Sequence, residues 1–185
     1  MEDIFLIGPK HSGKTSVGKI LSSLCSCEFI DLDELITQRT GKSPRELYKE
    51  SPDVFKKVEA EAAAALINKD DSGLNNTSIN KTGRFRVIAA GGGLIDNIEA
   101  LALLNETGAV KIYLDVSADS AWERINNSGN VELPPFLQTD NPRETHRVLH
   151  ERRVAGYRQI ADIIIKADGK TPEEIAAGII TIKSL

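Results

Sequence analysis

The sequence is poor in the residues that build specialised scaffolds. Its 185 residues include two cysteines, one tryptophan, one methionine and three histidines. Cys25 and Cys27 form a lone C-x-C with no second Cys/His cluster, so they are expected as reduced, structural thiols rather than a disulfide, redox or metal pair. No apolar run approaches the roughly 20 residues that span a bilayer. The opening "MEDIFLIG" is acidic and lacks the basic start of a secretory signal. Neither sign of charge dominates: 23 Lys and Arg against 27 Asp and Glu leave a net charge of -4. That balance argues against a general nucleic-acid or membrane-surface binder. The expectation is one cytoplasmic domain over 1–185, monomeric, with a small molecule as its partner and neither nucleic acid nor membrane.

What is present is alternation. Short apolar runs at 4–7, 27–31, 86–90, 110–116 and 161–167 read as strands, separated by longer helical patterns. Mostly continuous apolar residues fit a parallel sheet covered by helices on both faces, an α/β architecture. "SPRE" (43–46), "NPRE" (141–144) and "TPEE" (171–174) each combine a capping side chain, proline at the first helical position and glutamate at N3. "SPD" (51–53) reads as a fourth helix start. Two polar or irregular stretches interrupt the pattern, at 68–83 and 126–141; the second has the length of a lid.

The strongest single signal is "LIGPKHSGKTS" (6–16), in which Gly8, Gly13, Lys14 and Thr15 spell G-x-x-x-x-G-K-[ST]. An apolar strand precedes it and a helical pattern follows, which is the setting a P-loop requires. Backbone N–H groups of Gly8, Pro9–Ser12 (proline excepted), Gly13 and the residues through Ser16 would cradle phosphates at the helix N-terminus. Lys14 would neutralise the β- and γ-phosphates of ATP, and Thr15 would offer its hydroxyl to Mg²⁺. Lys10 adds a second positive charge. His11 is read as a solvated loop residue, comfortable there only if its φ is negative.

"FIDLDELI" (29–36) places Asp31 and Asp33 at the carboxyl end of the second strand, where open parallel sheets bind ligands. Two carboxylates there can divide the work, one towards Mg²⁺ and one orienting or deprotonating a hydroxyl; Asp33 as a plain helix cap is the alternative. Gly91, Gly92 and Gly93 follow the third strand and permit close backbone approach to a ligand. Asp115 reads as a strand-end residue capping the next turn. Trp122 reads as core or edge packing, and His146 with His150 as a solvated helix face.

Taken together, the P-loop, "FIDLDELI", "TGKSPRELY" (40–48), "VIAAGGG", "VKIYLDVSADSAWERI" and "ERRVAGYRQIAD" (151–162) resemble the shikimate kinase family in order and spacing over nearly the whole chain. The resemblance implies a P-loop three-layer sandwich with five parallel strands in order 2-3-1-4-5. It also implies transfer of the γ-phosphoryl of ATP to the 3-hydroxyl of shikimate, with a substrate-binding helical segment about 33–62 and a lid about 126–141. By position, Asp31 resembles the Mg²⁺-side carboxylate and Asp33 the residue that binds the shikimate hydroxyls and activates the nucleophile. Gly91–Gly93 would lie along the substrate, and Arg153, four residues before Tyr157, matches the arginine for the substrate carboxylate.

Two positions depart from the family pattern. "FKKVE" (55–59) has Lys56 where the family has arginine, keeping charge without a planar bidentate grip. The lid stretch "VELPPFL" (131–137) has Leu133 or Pro134 where an arginine is expected. Lys10 and Arg143 are the candidates to supply that charge. Open alternatives are a kinase of another small hydroxylated acid or sugar, a P-loop motor, and a nucleotide-binding regulatory module without phosphotransfer.

Overall fold

A computed structural model describes residues 2–68, 85–127 and 133–185. Its five strands are β1 (Ile4–Ile7), β2 (Glu28–Asp31), β3 (Arg86–Ala89), β4 (Val110–Asp115) and β5 (Ile163–Lys166), all parallel and in the order β2-β3-β1-β4-β5. The expected topology is therefore observed. β1 sits at the centre because "IFLI" can be buried on both faces, and all four residues are.

Side-chain alternation along that strand divides the interior in two. Phe5 and Ile7 join Ile30, Ile88 and Tyr113 on one face; Ile4 and Leu6 join Val87, Ile112 and Leu114 on the other. The first face is covered by α2 (Leu32–Thr40), α4 (Pro52–Ile67), α5 (Ile98–Glu106) and α7 (Pro142–Ile160). The second is covered by α1 (Lys14–Cys25), α6 (Ala118–Asn126) and α8 (Pro172–Lys183), while α3 (Pro44–Glu50) links α2 to α4. Full burial of side chains such as Leu6, Ile7 and Ile88 contributes about 1.5–3 kcal/mol each. Cys25 and Cys27 are free thiols, as expected.

All four helix starts follow the sequence, with one capping box left incomplete. Ser43 and Thr171 form complete capping boxes with Glu46 and Glu174, and Ser51 caps α4. At 141–144 only half a box forms: Asn141 accepts from the Glu144 N–H, but the Glu144 carboxylate turns to Arg147 at 2.6 and 2.9 Å. A guanidinium one turn away offers a charge-assisted pair that the neutral cap N–H cannot match. The stretch 68–83, apart from Asn68 at the end of α4, and residues 128–132 of the expected lid lie outside the described residues.

The topology brings together the carboxyl ends of β1, β2 and β3. The P-loop, Asp31 with Asp33, and Gly91–Gly93 leave the sheet at that edge, while Lys56 lies on α4. Arg153 arrives from α7.

Candidate active site

The loop from β1 to α1 makes its turn with three positive φ angles, at Gly8 (144°), His11 (62°) and Gly13 (100°). The negative φ that would make His11 comfortable there is not what the backbone adopts. Its backbone is held left-handed, and Arg124 donates to its carbonyl at 3.0 Å. The imidazole is half-buried rather than solvated, and burial followed by the charges of Lys10 and Lys14 pushes its pKa down to about 4. It stays neutral at physiological pH and too weakly basic for proton abstraction.

Lys14 is buried, with its ammonium folded onto the loop. It donates to the carbonyls of Gly8 (2.9 Å) and Pro9 (2.8 Å) and to Ser12 Oγ (3.4 Å). Burial lowers its pKa to about 8, with Asp33 and then Asp31 opposing that shift. Beside it, Thr15 Oγ1 donates to Asp31 Oδ2 at 2.7 Å. The other oxygen, Asp31 Oδ1, accepts from the N–H groups of Asp33 (2.9 Å) and Glu34 (3.4 Å). The α2 cap is therefore Asp31, which frees the Asp33 side chain for the site.

Asp33 is exposed and lines the cavity. Burial and the neighbouring Asp31 charge raise its pKa, while Lys14 and Lys10 pull it back. A side chain at Gly91 would begin 3.1 Å from Asp33 Oδ1 and 2.8 Å from Glu59 Oε1. At Gly92 it would meet the Lys10 backbone N at 2.7 Å, and at Gly93 Arg153 Nη2 at 3.3 Å. The three glycines are needed for room: the positive-φ glycines are elsewhere in the chain.

These groups surround a cavity of about 550 Å³ lined by the P-loop, Asp31, Asp33 and Gly92, with Arg124 and Lys170 on its rim. Arg153 approaches from the side of Gly93. Its Nε and Nη2 are paired with Asp96 at 2.9 and 2.8 Å, and its guanidinium lies 5.7 Å from the Phe136 ring. Phe136 in turn packs edge-on against Tyr48, which packs against Phe55, so an apolar wall borders Arg153. Lys56 is brought less close: its side chain is exposed and lies outside the lining of the P-loop cavity, while its carbonyl accepts from Asn97 Nδ2 at 2.8 Å.

Sequence reading missed Glu59, Asn97 and Asp96. Glu59 is 1% exposed, accepts from Asn97 Nδ2 at 2.9 Å through Oε2, and leaves Oε1 without a partner; burial pushes its pKa up to about 7. Its signal was present, as an acid among the alanines of the buried face of α4. Asn97 and Asp96 carry no local signal.

Two further readings are corrected. His146 and His150 are buried, not a solvated face: Trp122 covers His146 at 5.4 Å between ring centres, and His150 Nε2 bonds the Val116 carbonyl at 2.9 Å. Asp115 caps no turn, since Ser117 caps α6. It is buried and accepts from Lys166 Nζ (2.6 Å), Tyr113 Oη (3.0 Å) and Arg158 Nη2 (3.1 Å). Burial pushes its pKa up, and those three hydrogen bonds outweigh it and hold the pKa down.

Comparison with known proteins decides the family. The profile described as shikimate kinase matches residues 10–183. A shikimate kinase from Sulfurihydrogenibium sp. (strain YO3AOP1) is 32% identical over 182 residues, covering 98% of this chain and 97% of that protein. The chain belongs to the shikimate kinase family. Shikimate kinases are phosphotransferases that act on a hydroxyl group, with ATP as the phosphate donor. Among solved structures, shikimate kinase from Acinetobacter baumannii in complex with shikimate superposes with a TM-score of 0.82 at 25% identity, covering 100% of this chain and 93% of that one. The Aquifex aeolicus shikimate kinase gives 0.75 at 29% identity, over 98% and 96%.

Proposed function

We propose that this member of the family transfers the γ-phosphoryl of ATP to the 3-hydroxyl of shikimate, giving shikimate 3-phosphate. The observation that carries the reading is the position of Asp33, which lines the cavity with Lys14 of the P-loop and lies against Gly91. A carboxylate there is within reach of an acceptor hydroxyl, and its raised pKa makes it a better proton acceptor than an ordinary aspartate. Lys14 and the backbone of residues 8–16 bind the phosphates. Gly91–Gly93 shape the acceptor pocket, and Arg153, already oriented by Asp96, presents its remaining nitrogen to the acceptor's carboxylate, with Lys56 adding charge at the rim.

Thr15 and Asp31 fit Mg²⁺: two hard oxygen ligands in mutual contact at the phosphate end of the site, one of them anionic. Bound there, Mg²⁺ supplies charge neutralisation at the β- and γ-phosphates. The chain's own contribution is positioning and a site from which water is excluded. The modest net charge of -4 supports a protein working without nucleic acid, and the chain is read as a cytoplasmic monomer.

A second reading is favoured by the exposed Lys56: a related acid or sugar as acceptor. ADP release from Mg·ATP is measured with shikimate, without acceptor, and with a panel of hydroxy acids and sugars. Shikimate-dependent release supports the first reading; release only with another acceptor replaces it, and ATP binding without any acceptor-dependent release favours a regulatory module.

A further inference from the structure

Lys10 stands at the seam between the two halves of the site. Its backbone N and Cα lie 2.7 and 2.9 Å from where a side chain on Gly92 would begin, so the P-loop and the acceptor-side glycines touch at this residue. Its own side chain is exposed into the cavity, sharing the lining with Lys14, Asp31 and Asp33. No hydrogen bond or ion pair joins its ammonium to another described residue. Burial weighs against its charge, Asp33 favours it and Arg45 opposes it. A partly dehydrated ammonium without a partner is costly unless an anion joins it.

Among the other cations near the cavity, Lys14, Arg124 and Arg143 are committed. Lys14 holds three acceptors of the loop, and Arg124 holds the His11 carbonyl. Lys170 is exposed and lines the cavity with Pro172 and Ile175 at the start of α8, whereas Lys10 alone of the two abuts Gly92. Arg143 is paired with Asp119 at 3.0 Å and lines a separate cleft of about 390 Å³.

We propose that Lys10 is a catalytic residue of this chain, its ammonium touching the γ-phosphoryl oxygens as they pass from nucleotide to acceptor. The inference rests on the phosphotransfer reading above. In the transfer, the bond from Pγ to the bridging oxygen of ADP breaks and a bond from Pγ to the acceptor oxygen forms. The acceptor's proton goes to Asp33, and Lys10 keeps its own proton throughout. Charge spreads over the equatorial oxygens midway, and a cation at the seam meets it there more fully than in either ground state. Lys14 reaches the phosphates from the nucleotide side; Lys10 reaches them from the side of Gly92 and Asp33.

Lys10→Met keeps length and removes charge; Lys10→Arg keeps charge. In Lys10→Met, kcat falls on the order of 10²-fold. KM for ATP moves less than about threefold, and the melting temperature is unchanged. Lys10→Arg recovers most of the lost turnover. A wild-type kcat in Lys10→Met overturns the proposal, as does a loss confined to KM. A second readout does not need shikimate to be the acceptor: affinity for ADP with aluminium fluoride, which mimics the transferring phosphoryl group. It falls on the order of 10²-fold in Lys10→Met while affinity for a non-hydrolysable ATP analogue holds. Equal losses for both probes overturn the proposal. If the wild type fails to turn over shikimate yet the discrimination between probes survives, the acceptor assignment fails and the role of Lys10 stands.

Discussion

Thr15 and Asp31 are joined by a 2.7 Å hydrogen bond between the first turn of α1 and the end of β2. Because the second oxygen of Asp31 caps α2, one carboxylate serves the fold and, in the proposed reading, the metal end of the site. The two roles separate by substitution. Asparagine caps a helix about as well as aspartate, whereas alanine loses about 1 kcal/mol. Asp31→Asn is therefore expected to melt close to the wild type yet need more Mg²⁺ for half-maximal activity. Asp31→Ala should lose on both counts. Magnesium titration of turnover beside thermal melts checks this, and an Asp31→Asn enzyme with an unchanged Mg²⁺ requirement would remove the metal role.

Glu59 provides a stability prediction with a definite sign. Its carboxyl is moved from the ordinary 4.5 to about 7, chiefly by burial. Below pH 4.5 it is protonated in folded and unfolded chains alike. Between 4.5 and 7 the unfolded chain releases the proton that the folded chain keeps, so stability falls as pH rises. Above 7 the full cost, about 3 kcal/mol, is in place. His11 and His146, both pushed down to about 4, act in the opposite direction over part of that window. The difference between wild type and Glu59→Gln cancels them. Denaturant unfolding at pH 5 and pH 8 should show Glu59→Gln gaining on the wild type as pH rises, while KM for the acceptor worsens. A pH-independent difference would mean that Glu59 is not the group that titrates.

Which parts of this were legible beforehand follows from how local their causes are. The P-loop, the strand runs and all four helix starts depend on neighbours within a few residues, and they stand as read; only the second half of the capping box at Glu144 does not form. His146 and His150 were misread because i, i+4 spacing says that two residues share a face, not what covers it. The cover is Trp122. Asp115 was misread because its partners, Arg158 and Lys166, come from α7 and β5. Glu59 and Asp96 were passed over for the same reason: their importance is created by Asn97, Gly91 and Arg153, which only packing brings to them. The φ of His11 was hidden because histidine there gives no sign of a left-handed turn that glycine would have announced.

If Lys14 binds the phosphates as proposed, it is expected to set the alkaline limit of nucleotide capture. In the free protein its ammonium loses charge above about pH 8, because burial disfavours the charged form. The profile of kcat/KM for ATP reports the free enzyme, so it should fall above that pH. Phosphates bound against the ammonium favour its charged form, and the corresponding limb in kcat should lie higher. Lys14→Ala should abolish transfer altogether. Steady-state rates from pH 6 to 10 check the limb; a kcat/KM that stays level to pH 10 would show that Lys14 keeps its proton.

His11 offers a test of the loop's backbone that is independent of catalysis. At φ 62° an L-residue bears a steric cost of about 1–2 kcal/mol that glycine avoids. Glycine's greater freedom in the unfolded chain returns about 0.5–1 kcal/mol of that advantage. His11→Gly and His11→Ala lose the same imidazole, so comparing them removes the side chain from the question. Glycine should be the more stable of the two by about 1 kcal/mol, a rise of roughly 2–4 °C in melting temperature for a chain of this size. Were the residue right-handed, the order would reverse, because alanine loses less entropy on folding. An alanine variant that melts at or above the glycine variant would therefore place the His11 backbone outside the left-handed region, and with it the turn that aims Gly13 and Lys14 at the phosphate.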